Sequence, residues 1–539
     1  MTREEKNREV KKNRIALVAI LAEIIIVIIL LIIVISRLAS KDDENSGEDT
    51  EKTVQQTEVT DILPETVTDT DPVWEPGTAS GMNPEKNTGS SEAAPTEDPE
   101  NPESGDNTGT EEGSSGQDAP LQNEEEYVTD TEITAGRSVK LSLSGNERAD
   151  LVEVLKEAAT KAAMYDYDAA IELVKGYEGY ETNESAMSAI TEFEAEKAAC
   201  VRWPENTQIS HLFVHSLIVD TARAFGPRSS QPTGYNKYMT TVSEFNKMMD
   251  SMYEKGYVLV SIHDIAKVET AEDGTQKLVK QPIMLPEGKI PFVLSQDDVN
   301  YYLYMNNNGF ADKIVVGEDG LPTCQYTDED GNVMFGEYDM MPIIDRMVRE
   351  RPDFSYHGAK GILAVTGYEG CLGYDTGLSM KIYDGLDEAE KMKRIEAERD
   401  KVREVVAALK ADGWEFASHS YTHSNMTDAK LSKLEYDTTR WHDEVQLLVG
   451  DTDIYIYPYG ADICDWRGYK GDKYELLKKA GFWYFCNVDA SQYWIQITDN
   501  YMRMGRINID GERMNVTPER LKYFFNVDDV YDTTRPPFK

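Results

Sequence analysis

A continuous apolar run near the N-terminus limits what this chain can form. Residues 15–36 read IALVAILAEIIIVIILLIIVIS, and a helix of about 20 apolar residues crosses the roughly 30 Å hydrocarbon layer of a membrane. Residues 1–14 carry six Lys or Arg against three Glu, so the positive-inside rule predicts a cytoplasmic N-terminus and an extracellular remainder. A cleaved signal peptide is the alternative, but its apolar core is shorter, about 7–15 residues. We therefore predict a single-pass cell-membrane protein.

The segment that follows is too polar to build a core. From Lys41 to Ala135 the chain has 27 Asp or Glu against three Lys or Arg and almost no aliphatic pattern. Such a composition cannot bury enough apolar surface to offset chain entropy, so we predict a disordered acidic linker over residues 37–137. Its acidity argues against nucleic acid or anionic lipid as a partner of the protein, because both carry negative charge.

Residues 138–203 have the apolar spacing of helices. The stretches ERADLVEVLKEAATKAAMYDY, DAAIELVKGYEG and ESAMSAITEFEAEKAACV place apolar residues at i, i+3 and i+4, which predicts three helices. The middle part resembles half of a tetratricopeptide-type hairpin, although a solenoid needs about three such repeats. Two interpretations stay open: a helical spacer that packs on its neighbour, and a segment that recruits a protein partner.

From residue 204 to residue 539 strand and helix patterns alternate. Apolar strand-like runs such as ISHLFVHSLIV, IPFVLSQ, GILAV, WEFAS, IYIYP, FWYFCNV and RMGRINI are separated by helical or turn-rich stretches. This alternation predicts an α/β domain with a largely parallel sheet, here a distorted (β/α) barrel. Asp-Gly turns in residues 315–335 predict a hairpin insertion.

The five cysteines do not form a disulfide framework. They stand at positions 200, 324, 371, 464 and 486, and none forms a CxxC pair. A single bridge between Cys464 and Cys486 is left open.

Two histidines in the stretch WEFASHSYTHSNM suggest a metal site. His419 and His423 are two of only seven histidines in the chain, and two imidazoles with one carboxylate are an ordinary ligand set for Zn²⁺. The obvious source of the carboxylate is LSQDDVNYY, in which Asp297 and Asp298 end a strand. The carboxyl ends of strands are where α/β barrel enzymes collect their catalytic groups.

Together these motifs resemble the polysaccharide deacetylases of the NodB homology family, carbohydrate esterase family 4. The resemblance lies in the Asp-Asp pair, the His-Ser-x-x-His motif about 120 residues later and YPYG, and it spans about residues 205–530. In that family the first Asp is the general base and the second Asp binds the metal with both histidines. The resemblance therefore implies Asp297 as the base and Asp298, His419 and His423 as ligands of a divalent metal, Zn²⁺ above all.

The resemblance also gives roles to two residues of the YPYG motif. It implies that Pro458 shapes this loop and that the backbone N–H of Tyr459 helps to hold the oxyanion of the tetrahedral intermediate. Common members have Arg where this chain has Ile456, so we expect Arg506 to orient Asp297, with Arg503 as the weaker candidate, because a guanidinium fork suits a carboxylate.

The chain departs from the usual family pattern at the general acid. No His follows His442, whereas the usual family places its acid His near the C-terminus. HLFVHSL resembles the first strand of permuted members, such as poly-N-acetylglucosamine deacetylases, which implies His215 as the acid. Asp489 and Trp494 resemble the motif in which an Asp tunes this His and an aromatic wall packs the acetyl pocket, although Trp494 also fits a core position.

These features lead to one expected function and three alternatives. The expectation is a membrane-anchored, metal-dependent N-deacetylase of N-acetylglucosamine-type sugars in peptidoglycan or an exopolysaccharide. The first alternative is O-deacetylation of a xylan-like glycan, since the same attack works on an ester. The others are a non-catalytic glycan-binding or wall-organising protein and a structural anchor that recruits a partner through residues 138–203.

Overall fold

The computed structural model describes residues 127–489 and 491–538. The predicted cytoplasmic tail (1–14), the predicted membrane helix (15–36) and the predicted linker up to residue 126 lie outside the described residues. Within the described ranges, no helix combines the length and the apolar character that crossing a bilayer requires.

Seven parallel strands close into a ring in the order of the sequence. They are β1 (Ser210–Val214), β2 (Ile290–Gln296), β3 (Ile362–Val365), β4 (Glu415–Ser418), β5 (Ile454–Ile456), β6 (Tyr484–Val488) and β7 (Met502–Asn508). Each strand pairs in parallel with the next one. β7 then pairs with β1, with Ile507 opposite Leu212. The α/β fold with a closed parallel barrel is therefore confirmed.

The remaining strands of the described chain are short or lie outside the ring. Tyr257–Leu259 pairs in parallel with the first half of β2, and Ile495–Ile497 pairs antiparallel with β7. The predicted hairpin insertion is a three-stranded antiparallel sheet of Lys313–Val316, Pro322–Thr327 and Val333–Gly336. The others are Tyr127–Val128, Glu132–Ala135, Val139–Ser142, Glu147–Arg148, Val201–Arg202, Ala266–Thr270, Gln276–Lys280 and Met284–Leu285.

Helices follow most strands of the ring, and several of them begin at side-chain caps. Thr241 and Glu244 form a capping box at the start of Val242–Glu254, and the Asp387 carboxylate accepts two backbone N–H groups at the start of Glu388–Ala411. The α-helices are Ala149–Ala163, Tyr167–Lys175, Glu184–Ala199, Thr221–Phe225, Pro232–Tyr238, Val242–Glu254, Ile262–Ile265, Met340–Glu350, Glu388–Ala411, Leu431–Trp441, Leu447–Val449, Asp472–Lys479, Gly511–Val516 and Val527–Val530, with a π-helical turn at His442–Gln446.

The strands of the ring are apolar on both faces, as expected for a parallel sheet that is covered on both sides. Alternate residues such as Leu212, Phe292 and Leu363 pack in one core with the surrounding helices. The residues between them, such as Val293 and Ile454, pack together in a second core. Side chains therefore fill the ring, and a site is expected among the loops at its carboxyl-terminal end.

The N-terminal segment of the described chain packs against the ring. The apolar faces of its three helices share the second core with the strands of the ring. The residues after its first helix are joined to the loop before β3, since the Tyr165 hydroxyl donates to the carbonyl of Asp353 at 2.7 Å and the His357 N–H donates to the carbonyl of Met164 at 2.8 Å. The helices therefore lie against the barrel, and residues 127–148, which the composition assigned partly to the linker, form short strands.

All five cysteines are free. Cys486 is buried in β6, whereas Cys464 lies in the loop after β5 and is partly exposed. The bridge between Cys464 and Cys486 that the sequence left open is not formed.

Candidate active site

The candidate site is built at the carboxyl ends of the strands of the ring. Asp297 and Asp298 follow β2 directly, His419 follows β4, and Tyr459 lies in the turn after β5. Because the strands are parallel, all of these ends face the same side of the barrel. Residues that are far apart in the sequence therefore meet at one place.

Asp298, His419 and His423 form a group that could hold a metal ion. The Nε2 atom of His419 lies 3.9 Å from Oδ1 of Asp298, and the Nε2 atom of His423 lies 3.7 Å from Oδ2. The three ligand atoms all lie within 4.8 Å of one another. Two bonds of about 2.0–2.2 Å to one Zn²⁺ span at most about 4.4 Å, so the two measured separations fit a shared cation.

The hydrogen bond of His419 and the pKa of His423 both suit metal binding. Nδ1 of His419 lies 2.9 Å from the carbonyl oxygen of Ile456, so the proton belongs on Nδ1 and the lone pair of Nε2 faces Asp298. Burial lowers the pKa of His423 to about 4, although the neighbouring carboxylate of Asp298 favours the charged form. Neutral imidazole is the form that binds metal, so the lowered pKa of His423 suits a metal ligand.

A tyrosine holds the carboxylate of Asp298. The hydroxyl of Tyr302 donates to Oδ1 of Asp298 at 2.6 Å and lies 3.0 Å from the hydroxyl of Thr366. Such a hydrogen bond limits rotation of the carboxylate and directs its other oxygen toward His423. Tyr302 was not predicted as a site residue from the sequence, although it stands four residues after Asp298 in the same motif.

Asp297 is held by an arginine rather than by the candidate metal ligands. Arg506 donates from Nη1 to Oδ1 at 2.6 Å and from Nη2 to Oδ2 at 2.8 Å. Burial alone would raise the pKa of Asp297, but the guanidinium charge of Arg506 and its two hydrogen bonds hold that pKa well below its usual range. Asp297 is therefore ionised and directed, as a proton acceptor must be.

Arg506 is itself fixed inside the ring. Its guanidinium carbon lies 4.1 Å from the centroid of the Phe213 ring, and Nη1 also lies 3.2 Å from the hydroxyl of Ser295. That hydroxyl is hydrogen-bonded to Nε2 of His211 at 2.9 Å. His211, which the sequence left without a role, thus belongs to the layer of polar residues below Asp297.

Arg503, the weaker candidate for orienting Asp297, has a different partner. It donates to Oδ2 of Asp462 at 2.7 Å and to the carbonyl of Arg467 at 2.9 Å. Both partners lie in the loop after β5, so Arg503 holds that loop. Of the two arginines, the one that meets Asp297 is Arg506.

Several residues of the site have unusual backbone angles. Asp298, His423 and Tyr459 have φ values of +57°, +49° and +59°, and the neighbours Tyr301 and Ser420 have +52° and +59°. Positive φ costs a non-glycine residue about 1–3 kcal/mol and persists where the surroundings determine the conformation, most often at functional sites. Three of these five are residues to which the resemblance gives a role.

The turn after β5 lies against the metal-ligand group. Pro458 is the first residue of the 3₁₀ turn Pro458–Gly460, and the ring centroid of Tyr459 lies 4.5 Å from that of His423. Gly460 has a φ of +65°, and an added Cβ would come within 2.5 Å of Val488. The close packing of this glycine against β6 keeps the backbone of Tyr459 at the edge of the site.

His215 lies at the end of β1, within electrostatic reach of Asp297, Asp298 and the buried Asp510. Asp510 follows β7 and accepts from Nδ2 of Asn508 at 2.6 Å and from the N–H of Arg513 at 2.7 Å. Asp510 was not predicted as a site residue from the sequence. It stands two residues beyond the last residue of β7, a position similar to those of Asp297 and Asp298 after β2.

Asp489 and Trp494 pack around β7. Oδ1 of Asp489 accepts from the N–H of Ser491 at 2.8 Å, and Gly505 of β7 lies between Asp489 and Trp494, where an added Cβ would be 2.6 Å from the Cβ of Asp489. The Trp494 ring lies 5.0 Å from the guanidinium carbon of Arg503. Asp510, and not Asp489, is among the carboxyl groups within electrostatic reach of His215, so the tuning role suggested for Asp489 stays a prediction.

Comparison with known proteins agrees with this geometry. Residues 388–485, which include both histidines and the turn after β5, match the family model "Polysaccharide deacetylase". No curated protein matches the chain significantly.

Two solved structures are similar to parts of the chain. One is the deacetylase PplD from Streptococcus pyogenes in complex with acetate, with 13% identity and a TM-score of 0.33, covering 60% of this chain and 98% of that chain. The other is BA0330 from Bacillus anthracis, assigned as a polysaccharide deacetylase, with 11% identity and a TM-score of 0.31, covering 61% of this chain and 68% of that chain. On the match of residues 388–485, the chain carries a domain of the polysaccharide deacetylase family.

Proposed function

We propose that this protein is a metal-dependent polysaccharide N-deacetylase that removes acetyl groups from N-acetylglucosamine-type sugars and releases acetate and free amines. The observation that carries the proposal is the convergence of Asp298, His419 and His423 on one point, with Asp297 beside them. His419 Nε2 lies 3.9 Å from Oδ2 of Asp297 as well as from Asp298. The base and the ligand group therefore act on the same small volume.

A divalent cation, above all Zn²⁺, would be held by Asp298, His419 and His423. When bound, such an ion supplies the Lewis acidity that polarises an amide carbonyl and acidifies water. The donor set supports this assignment, because two neutral imidazoles and one carboxylate leave positions open for substrate. That this cation is Zn²⁺ in the cell is part of the proposal.

The residues of the chain would perform the proton transfers. Asp297 accepts a proton from the attacking water at its carboxylate, while Arg506 keeps that carboxylate ionised and oriented. His215 gives a proton to the leaving amine. The backbone N–H of Tyr459 stabilises the oxyanion, as a preorganised donor in a buried site does.

We propose further that the enzyme acts outside the cell, on the cell wall or on an exopolysaccharide, with residues 15–36 as its membrane anchor. The 22-residue apolar run and the positive charges before it support this location. The acidic segment after the anchor would act as a spacer, because like charges repel and extend a linker. Trp494 and Asp489 remain candidates for the acetyl pocket.

Acetate release by the purified full-length protein tests the proposal. The substrates are acetylated chitooligosaccharides, peptidoglycan and acetylated xylan, each with and without a chelator. We expect release from the N-acetylated substrates that the chelator abolishes and added Zn²⁺ restores. Release from xylan alone would instead identify an O-deacetylase, and Zn²⁺ binding without any release would identify a glycan-binding protein.

A further inference from the structure

Two of the three residues between the histidine ligands are tied to one helix. Tyr421 and Thr422 donate their backbone N–H groups to the two oxygens of Asp437, at 2.5 and 3.0 Å, and the Thr422 hydroxyl also donates to this carboxylate. Asp437 belongs to the helix Leu431–Trp441 and is fully buried. A buried carboxylate that accepts several N–H groups forms strong, charge-assisted hydrogen bonds.

The same helical segment also holds the side chain of Tyr421. Arg440 donates to the Tyr421 hydroxyl at 3.1 Å, and its guanidinium carbon lies 4.8 Å from the centroid of the ring. The Tyr421 hydroxyl in turn donates to Oε2 of Glu444 at 3.0 Å. Arg440 and Glu444 form an ion pair, so Tyr421 is held at both its backbone and its hydroxyl.

A π-helical turn contributes to this arrangement. Glu444 lies within the turn His442–Gln446 and is buried. A π-turn contains an additional residue, changes which side chains share a face of the helix, and is frequent at functional sites. Glu444 also accepts the N–H of Leu378 at 2.9 Å, in the loop that follows β3. The turn therefore joins the ligand loop to a neighbouring loop of the site.

The helix is anchored to the ring next to a ligand. Nε1 of Trp441 donates to the carbonyl of Val365 at 2.9 Å, and the N–H of His419 donates to the same carbonyl at 3.0 Å. Asp437 and Trp441 are one turn apart and both buried. A shift of this helix would thus be passed directly to the backbone that carries the histidines.

The ligand loop needs such support because its backbone is strained. Ser420 and His423, with φ values of +59° and +49°, stand on either side of the two residues that Asp437 holds. Without partners, residues in this conformation relax to the more favourable negative φ. Relaxation at His423 would move its ring away from Asp298.

We propose that Asp437, Arg440 and Glu444 form a clamp of positioning residues that sets the place of His423 relative to His419 and Asp298, and thereby the affinity for the cation. This inference rests on the proposed function, since the metal site belongs to it. None of the three clamp residues is a ligand. The clamp acts through Tyr421 and Thr422.

The substitution Asp437→Asn in the full-length protein tests the clamp by Zn²⁺ titration in a calorimeter. Asn keeps the size of Asp but has one acceptor oxygen, so at least one of the two N–H groups loses its partner. We expect the Kd for Zn²⁺ to rise about 10- to 100-fold, as for other residues that orient metal ligands. Glu435→Gln is the matched control, because it removes one charge from an exposed position of the same helix and should leave the Kd unchanged.

Tyr421→Phe is the second variant. It removes the hydroxyl that Arg440 and Glu444 hold and keeps both backbone bonds to Asp437, so we expect a smaller rise of the Kd, about fivefold. If Asp437→Asn fails to fold by circular dichroism, Tyr421→Phe decides the question. An unchanged Zn²⁺ affinity in the folded variants, even with a lower Tm, overturns the clamp alone. No Zn²⁺ binding by the wild type would overturn the proposed metal site together with the clamp.

Discussion

Arg506 donates two hydrogen bonds to Asp297, one to each carboxylate oxygen, at 2.6 and 2.8 Å. Arg506 lies on β7 and Asp297 at the end of β2, and these two strands are the neighbours of β1 in the ring. Both are almost completely buried. The planar fork of Arg matches both oxygens of a carboxylate, which the point charge of Lys cannot do.

We therefore expect Arg506→Lys to lower kcat for acetate release by roughly tenfold to a hundredfold, since a hydrogen bond to a charged group contributes about 1.5–3 kcal/mol. The Zn²⁺ affinity should change little, because the side-chain partners of Arg506 are Asp297 and Ser295 and not the three candidate ligands. Arg349→Lys, at an exposed position of a surface helix, is the control. Equal kcat values for the two variants would show that Arg506 does not orient the base.

Removal of the metal ligand His423 should separate metal binding from folding. We expect His423→Gln to bind Zn²⁺ at least about tenfold more weakly than the wild type in a calorimetric titration, because two of the three ligands remain. Acetate release should fall to the level of the chelated wild type. His442→Gln, at an exposed histidine outside the group, should behave as the wild type. Full Zn²⁺ affinity in His423→Gln would contradict the ligand assignment.

His215 can be tested as the general acid by comparing leaving groups. An amine must be protonated as it leaves, whereas the phenolate of an aryl acetate leaves without a proton. We expect His215→Ala to lower kcat/KM for an N-acetylated oligosaccharide by about 10²–10⁴ and to affect an aryl acetate far less. If both substrates lose activity to the same extent, His215 serves the attack step or the structure of the site rather than the leaving group.

His263 should make the stability of the protein depend on pH. Its Nδ1 lies 2.6 Å from Oε1 of Glu415 and its Nε2 lies 3.0 Å from Oδ1 of Asp453. Burial opposes protonation of His263, but the hydrogen bonds and charges of the two carboxylates outweigh it and raise the pKa to about 10 from the ordinary 6.5. The contribution to stability is then complete below pH 6.5 and is lost as the pH rises through 10.

We expect the Tm of His263→Gln to lie below that of the wild type at pH 6, and the difference between the two proteins to narrow between pH 6.5 and pH 10. The effect should be modest, because the side chain is 32% exposed and water screens the pair. Thermal unfolding followed by circular dichroism measures it, with His442→Gln as the control. Parallel pH profiles for His263→Gln and the wild type would rule out this role.

The sequence was sufficient to predict the strands and to select the candidate metal ligands that the structure brings together. Each strand of the ring is a short apolar run, and that pattern depends only on neighbouring residues. Asp297 and Asp298 were recognisable because they end such a run, and His419 and His423 because of their spacing. The barrel could be expected from the alternation of elements, but the register in which β7 pairs with β1 could not, because it joins segments nearly 300 residues apart.

The supporting contacts were beyond sequence reasoning. Asp437 looks like any polar residue of an amphipathic helix, and only the packing of that helix beside Val365 brings it to the ligand loop. His263 was given no role because its two carboxylate partners are about 150 and 190 residues away. Tertiary packing decides which donor each buried carboxylate accepts from. The periodic pattern of a sequence carries no information about these long-range partners.

The pairing of β7 with β1 closes the sheet, so the ring has neither a first nor a last strand. Each strand has a neighbour on both sides, so the position at which the chain enters the barrel is arbitrary for the hydrogen bonds of the sheet. A gene rearranged so that the strand of His215 followed the strand of Arg506 would keep the register of Ile507 opposite Leu212. The order of the strands along the gene can therefore differ from their order around the active centre. A circular permutation of the gene would leave the site residues in the same arrangement.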